Sequence, residues 1–398
     1  MGLLQQRNAY PLFFLFLLFA APLRETGPWA ILWTAPAILF SSLMIAWAAE
    51  SSQYFIAQGF ALAILAWLQT LPEFAIEAVL AWKQQVPLLM ANLTGALRLL
   101  TGFGWPIIYF TAAMAHRRRG QGALRAIRLP QHHSVEVVGL MAPLAYIGVI
   151  LVKGALTIYD GAILILMYAA YLAVLSKLPA EDSESIEELE LIPRKIVTSP
   201  RLHRIAAIAA LFLAGGVLIY YSAEPFLASL LAISTVLGVP SFVFIQWIAP
   251  IVSEFPEMAS TVYFARSVNR APMALMNMVS SNINQWTLLV AMLPIVYSMS
   301  AGRVMAIPLD PQQHIELLLT LAQAVVGMLF LINMELAWWE AVILFVLFFV
   351  PFFSPRLAGP VTILYFLWAA IELVRMVFGR RQPEALVRFA EVWKEHVR

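Results

Sequence analysis

Two Pro-Glu pairs lie inside long apolar runs of this 398-residue chain. The first is Pro72 and Glu73 in the stretch TLPEF, and the second is Pro256 and Glu257 in SEFPEM. Proline lacks an N–H and clashes with the carbonyl four residues back, so each pair would free a backbone carbonyl inside a helix. Carbonyl and carboxylate oxygens at one depth are ligands that Na⁺ and Ca²⁺ accept. The two pairs therefore predict two elements of a cation-binding site.

More oxygen-bearing side chains are spaced to share a helical face with these glutamates. Residues three and four positions apart are neighbours on a helix surface. This spacing places Thr70 beside Glu73, and it places Ser253 and Glu254 beside Glu257. Each glutamate would then have a hydroxyl or a second carboxylate next to it.

The two pairs belong to an internal repeat. Each is followed by an apolar helix end, a short basic turn with a proline, and a second helix that carries an asparagine. That asparagine is Asn92 in the first half and Asn277 in the second, and it follows the glutamate of its own half at nearly the same spacing in both. Ser281 and Gln285 continue the Asn277 stripe, each one helical turn further on, so the second half predicts an oxygen cage built from two helices.

The composition shows what kind of protein must position these residues. The chain is 62% hydrophobic and 12% charged, with a mean hydropathy of +0.81, whereas soluble domains are about 45–50% apolar and about 25% charged. Spanning helices need about 20 apolar residues, and such runs predict an all-α, polytopic membrane protein of 11 or 12 transmembrane helices, with two inverted five-helix repeats. The lower number applies if the first run is the core of a signal peptide rather than a retained helix. The predicted spans are 9–23, 29–49, 55–81, 87–113, 135–152, 155–176, 203–223, 226–266, 271–299, 313–332, 335–353 and 358–378.

The chain divides at an acidic stretch near its middle, EDSESIEELE. Its charge run favours a solvated cytoplasmic loop over a regulatory cation site. The predicted segments are an N-terminal extra helix or signal-like segment at 1–28, a first repeat half at 29–176, the linker at 177–202, a second repeat half at 203–353, and an extra helix with a cytoplasmic tail at 354–398.

Basic residues predict the orientation of the spans. With the N-terminus inside, most of the Lys and Arg residues outside the spans lie on the cytoplasmic side, as the positive-inside rule requires. Both termini would then be cytoplasmic in a cell or inner membrane. The turn at Lys83 would lie outside and the turn at Arg266 inside, so the two repeats would be inverted, as in many secondary transporters that bind ions at the membrane midplane.

This repeat pattern resembles the sodium/calcium exchanger family of the cation/calcium exchanger superfamily. SEFPE followed by NMVSSNINQ is similar to the second alpha-repeat of that family, and QTLPE followed by ANLTGALRLL is a weaker match to the first. The resemblance implies exchange of Ca²⁺, or a related cation, against Na⁺ or H⁺ by alternating access, with membrane lipid and these ions as partners. The cation ligands that it implies are Thr70, Glu73, Ser253, Glu257 and Ser281, with Gln285 in place of an Asp or Asn ligand.

The first repeat departs from the family pattern. Gln69 stands where the family has Thr, Ala96 where it has Ser, and Leu100 where it has a later Asn ligand. Arg98 enters a predicted span, where an arginine without a partner is unfavourable. We expect it to pair with Glu73, Glu77 or Glu254. The alternative function is then a non-transporting or altered-specificity relative whose site Arg98 partly locks, and an unchanged Arg98→Ala variant would argue against that hypothesis.

Each of these residues also has a purely structural interpretation. Glu73 and Glu257 would be protonated or paired carboxylates between helices, and the hydroxyls would bond to carbonyls of their own helices. Asn92 and Asn277 would pack helices.

Other chemistries have little support in the sequence. The absence of cysteine excludes thiolate chemistry and disulfides. No phosphate loop, Ser-His-Asp spacing or HExxH motif is present, so no enzyme, ATP use, cofactor or nucleic-acid partner is predicted. The adjacent His132 and His133 favour a solvated loop over a metal site. The sequence sets no oligomeric state.

Overall fold

The structure is a computed structural model, and it describes residues 27–52, 70–178, 189, 191–266 and 268–397. Three sequence predictions fall partly or wholly outside these ranges. They are the span 9–23, the first part of the span 55–81, and most of the acidic linker.

The described residues are predominantly helical, which confirms the all-α membrane fold. Short strands and turns connect the helices. The helices of the first half are α1 (Ile31–Ser52), α2 (Leu71–Trp82), α3 (Val86–Leu99), α4 (Trp105–Arg118), α5 (Ser134–Lys153) and α6 (Ile158–Leu175). Those of the second half and the tail are α7 (Leu191–Val197), α8 (Arg201–Leu237), α9 (Ser241–Ser253), α10 (Phe255–Ala265), α11 (Ala271–Asn284), α12 (Val290–Ala301), α13 (Pro311–Leu331), α14 (Trp338–Phe353), α15 (Ala358–Val377) and α16 (Glu384–Val392).

Seven helices among the described residues are long and apolar enough to cross a membrane, which makes the chain an integral multi-pass membrane protein. The helices α9 and α14 are apolar but shorter. The seven segments are Pro28–Ser52, Val86–Arg118, Gln131–Lys153, Ile158–Leu175, Arg201–Leu237, Pro311–Leu331 and Pro355–Val377.

The sequence prediction divided the chain at residue 223, before Glu224 and Pro225, and interpreted 226–266 as a helix end, a turn and a long helix. In the structure the helix end belongs to α8, which continues through Pro225 to Leu237. A proline removes only one helical hydrogen bond, and membrane helices tolerate it where neighbouring groups satisfy the freed carbonyl. The helix ends instead at Gly238, whose φ of 66° gives the left-handed turn that glycine favours.

The chain folds as two compact units, and each takes residues from both halves of the sequence. The first unit comprises Met1–Leu80 and Glu181–Pro256, and the second comprises Ala81–Ala180 and Glu257–Arg398. In the first unit α1 packs along α8, and its core cluster is formed by Ala37, Phe40, Met44 and Leu218.

The second unit contains four short strands, two from each half of the repeat. The strands are β1 (Ala126–Arg128), β2 (Ala155–Leu156), β3 (Ile307–Pro308) and β4 (Glu335–Ala337). β3 follows β1, and β4 follows β2, at nearly the same spacing along the sequence, so these are the equivalent strands of the two halves. β1 pairs with β4 and β2 pairs with β3, both antiparallel. Each strand therefore pairs across the repeat rather than with its own equivalent.

A further repeated feature is a short π-helical segment inside a long helix. Leu100–Gly104 joins α3 to α4, and Gln285–Leu289 joins α11 to α12. The spacing between the two segments along the sequence is the same as the spacing between Asn92 and Asn277. π segments within helices are often found at functional sites, and no sequence pattern predicted them here.

Candidate functional site

The helix that carries SEFPEM is interrupted, as the sequence predicted. α9 ends at Ser253, the N–H of Glu254 donates to the Pro250 carbonyl at 2.9 Å, and α10 begins at Phe255. Ser253 and Glu254 are buried, with 5% and 2% of their surface exposed. The Ser253 hydroxyl donates to the Pro250 carbonyl at 3.3 Å. This is the hydrogen bond to a carbonyl of the same helix that a purely structural role of the hydroxyl would give.

The structure brings Glu257 and Ser281 together in the second unit. The Ser281 hydroxyl donates to Glu257 Oε2 at 3.0 Å, and both side chains are buried. The hydroxyls of Ser260 and Thr261 donate to the backbone carbonyl of Glu257 instead. Ser281 therefore differs from these neighbours, because it bonds to the carboxylate and not to a helix carbonyl.

The remaining predicted residues of the second unit lie on the helices with π segments. Gln285 is the first residue of its π segment and is fully buried, as is Asn92 on α3. Asn277 is only partly buried. The two helices are linked by the Thr101 hydroxyl, which donates to Asn282 Oδ1 at 3.1 Å; neither residue was predicted.

In the first unit, the TLPEF stretch opens α2. Thr70 precedes the helix, and its carbonyl accepts from the Phe74 N–H at 3.1 Å. Thr70, Glu73 and Glu77 are buried to 2% exposure or less. Because Glu73 and Glu77 are four positions apart, their carboxylates occupy one face of α2.

Arg98 forms an ion pair with a residue outside the predicted set. Its Nη2 lies 3.0 Å from Glu316 Oε2 on α13, and the two side chains are 3% and 14% exposed. In addition, Gln323 Nε2 donates to the Arg98 carbonyl at 3.0 Å. The partners expected from the sequence were Glu73, Glu77 or Glu254. Glu316 was not among the expected partners. Its position as an acidic residue inside the predicted span 313–332 was the sequence feature that could have indicated it.

The buried polar side chains of these elements carry oxygen donors. Across the described residues, no group of three or more His, Asp or Glu side chains is arranged to hold a metal ion. The polar groups are instead a mixture of carboxylates, hydroxyls and amides, all oxygen donors of the kind that Ca²⁺ and Na⁺ accept.

One family model and one solved structure match most of the chain. The model of the family described as sodium/calcium exchanger protein matches residues 27–177 and 207–353. The structure entitled "Crystal Structure of H+/Ca2+ Exchanger CAX" superposes with a TM-score of 0.87 at 30% sequence identity, covering 96% of each chain.

Structures of the sodium-calcium exchanger NCX_Mj share the fold at lower similarity. One, soaked with Na⁺ and Sr²⁺, gives a TM-score of 0.55 at 17% identity, covering 83% of this chain and 98% of that one. The comparison with curated proteins finds no match.

Proposed function

Because the chain belongs to the sodium/calcium exchanger family, a family of transporters and not of enzymes, we propose that it exchanges Ca²⁺ for protons across its membrane. The observation that carries this proposal is the buried contact between Ser281 and Glu257, made at the start of an interrupted helix. Such interrupted helices hold the ion sites of many alternating-access transporters.

The proposed ligands are the buried oxygen donors of the two Pro-Glu elements. Glu73 with Thr70, and Glu257 with Ser281 and Gln285, supply carboxylate, hydroxyl and amide oxygens. A divalent cation would be favoured by more than one carboxylate, because ligand charge sets the affinity of oxygen sites for Ca²⁺. Glu254, Ser253, Asn92 and Asn277 are assigned to the surroundings of these ligands.

Protons are proposed as the counter-ion because the first repeat lacks side chains that would bind Na⁺. Ala96 and Leu100, at the positions of family Ser and Asn ligands, are fully buried and carry only hydrocarbon. Protons need no such ligands, since they bind to the carboxylates from which Ca²⁺ departs. The likeness to an H⁺/Ca²⁺ exchanger at 30% identity supports the same choice.

The alternative of a site locked by Arg98 has no comparable support. Glu316, a carboxylate outside the proposed ligands, lies within ion-pair distance of Arg98.

Purified protein in liposomes tests the proposal. Ca²⁺ uptake is measured with an outward H⁺ gradient, an outward Na⁺ gradient, or neither. The proposal expects uptake driven by the H⁺ gradient, with release of the internal protons reported by a trapped pH dye. Uptake driven only by the Na⁺ gradient would show that Na⁺, and not H⁺, is the counter-ion. No uptake by a folded protein in any gradient would favour the alternative of a non-transporting relative. Folding and site occupancy are checked by whether Ca²⁺ raises the melting temperature, as a ligand of the folded state must.

A further inference from the structure

A cluster of exposed arginines in the second unit takes no part in the proposed cation site. The long helical segment Val86–Arg118 ends in arginines, and two more lie just before β1 and at its last position. Residues 78–135 include no acidic residue. Among the described residues, Arg128 Nε lies 3.8 Å from Glu335 Oε2, and the other arginines of the cluster form no ion pair. The cluster consists of Arg117, Arg118, Arg119, Arg125 and Arg128, all exposed.

The fold itself does not require these arginines. The equivalent connection of the second half, from α12 to α13, carries one arginine, Arg303, and one aspartate, Asp310. Because α5 joins β1 to β2 and α13 joins β3 to β4, the β1–β4 pair and the β2–β3 pair lie at opposite ends of these spanning helices. The arginine cluster is therefore confined to the β1–β4 end, which is the predicted cytoplasmic one.

Backbone hydrogen bonds bring the cluster beside the start of α14. The Tyr109 hydroxyl donates to the Leu124 carbonyl, and the Trp338 N–H donates to the Arg125 carbonyl at 3.0 Å. The Trp338 side chain is 54% exposed. Tryptophan is enriched at the level of the lipid headgroups, so arginines and an exposed indole meet at the membrane surface.

A ring contact sets the relative depth of α4 and α14. Phe110 packs against Phe345 with 5.4 Å between the ring centroids. Arg117 lies seven residues after Phe110, and Trp338 lies seven residues before Phe345. Because α4 runs toward the β1–β4 pair and α14 runs away from it, both lie two turns, or about 10 Å, from the contact in the same direction. Arg117 and Trp338 are therefore at one level, on the sides of their helices that carry the ring contact.

A row of half-buried phenylalanines continues from this level toward the middle of the membrane. Phe349 lies one turn after Phe345 on α14, and Phe103 packs against both rings at 5.9 and 6.1 Å. These three rings and Phe110 are each partly exposed. The surface thus has a cationic end at the headgroup level and an apolar row below it, which complements a negatively charged amphiphile.

We propose that this surface binds an anionic phospholipid of the leaflet at the β1–β4 end. The phosphate oxygens accept hydrogen bonds from the guanidinium groups at the end of α4, and an acyl chain lies along the phenylalanine row. Juxtamembrane clusters of about four to eight basic residues attract anionic headgroups, and the planar guanidinium donates to phosphate in a bidentate manner.

Lipid binding to the purified full-length protein tests the proposal. The protein in neutral detergent is titrated with phosphatidylglycerol or with phosphatidylcholine of the same acyl chains, and bound lipids are counted by native mass spectrometry. We expect phosphatidylglycerol to bind more tightly, and added salt to weaken that preference. The triple variant Arg117→Gln, Arg118→Gln and Arg119→Gln should raise the Kd for phosphatidylglycerol about tenfold or more, because each basic residue near an anionic surface contributes about fivefold. Its Kd for phosphatidylcholine should stay unchanged.

Matched variants separate lipid binding from other roles of the arginines. Arg303→Gln, at the opposite end, should bind both lipids as wild type does, and lysine at the three positions should keep most of the preference because the charge remains. Equal phosphatidylglycerol affinity in the triple glutamine variant and the wild type would overturn the proposal, since the arginines would then serve only to orient the chain during insertion.

Two further outcomes would assign the arginines to another anion. Inorganic phosphate that displaces phosphatidylglycerol at the concentration that saturates the protein with lipid would indicate a site for a soluble anion. Phosphatidylglycerol preference that appears only after the acidic stretch EDSESIEELE is neutralised would assign the cluster to that segment of the chain.

Discussion

The pair of Arg98 and Glu316 gives the sharpest stability prediction. The substitution Arg98→Met keeps an unbranched apolar stem and the backbone carbonyl that accepts from Gln323, but it removes the guanidinium and its charge. Unit charges about 4 Å apart attract by about 4 kcal/mol at an effective dielectric constant near 20. Removing one partner of a buried pair typically destabilises by about 3–5 kcal/mol, because the other charge stays buried. Since Glu316 keeps 14% of its side chain exposed, we expect the lower end, about 3 kcal/mol.

A double-mutant cycle isolates the pair from other effects of the substitution. The variants Arg98→Met, Glu316→Gln and the double variant are unfolded by SDS titration in mixed micelles, and the free energy of unfolding is compared with wild type. The double variant leaves no buried charge at this position, so its stability should be within about 1 kcal/mol of wild type. The interaction energy should therefore be about 2–3 kcal/mol.

The same variants test whether Arg98 stands in for a bound cation. The double variant should keep Ca²⁺ transport if the arginine serves packing and charge balance. A loss below about 1 kcal/mol in Arg98→Met would refute the reasoning on burial. A stable double variant with a gained Na⁺ or Ca²⁺ dependence would show that the guanidinium had occupied a cation position.

Three further predictions concern the packing around the repeat. Arg381 is 5% exposed and donates to Glu340, Glu372, the Phe330 carbonyl and Asn333. We expect Arg381→Met to destabilise the fold by about 3–5 kcal/mol and to make the segment 378–397 accessible to protease. The control Arg380→Met, at an exposed position, should do neither. Gly215→Ala should lower the melting temperature, because the added Cβ would lie 2.8 Å from Ile45 Cγ1. The control Gly216→Ala, whose Cβ would have nothing within 4 Å, should be neutral or stabilise the fold by up to about 1 kcal/mol. Equal effects of the two substitutions would contradict the packing of α1 on α8. Thr101→Val should cost about 1 kcal/mol by removing the donor to Asn282, and a thermal unfolding curve identical to wild type would argue against that contact.

The class of protein and the interrupted helix at the second Pro-Glu pair could be predicted because both follow from local sequence. A run of apolar residues specifies a spanning helix, and a proline interrupts the helix near its own position, as at Glu254. The polar stripe of Ser281 and Gln285 followed from helical periodicity alone. These features need no knowledge of which helices are neighbours.

Features that depend on the neighbours of a helix could not be predicted in the same way. The partner of Arg98 is distant in the sequence, on α13, and no local pattern selects it over the acids nearer to Pro-Glu. Helix α8 passes through Pro225 because tertiary surroundings, not propensity, decide whether an internal proline ends a helix. The π segments and the pairing of strands from opposite halves also depend on packing between helices. The sequence repeat gave only the spacing between the equivalent segments of the two halves.

Coupled fluxes in liposomes test the central claim most directly. Ca²⁺ uptake and proton release are recorded together for wild type, Glu257→Gln and the control Glu335→Gln, with thermal unfolding as the check of folding. The account predicts that wild type and Glu335→Gln move Ca²⁺ inward as protons leave, and that folded Glu257→Gln moves neither ion. Coupled exchange at the wild-type rate in Glu257→Gln would contradict the claim that this carboxylate binds the transported cation.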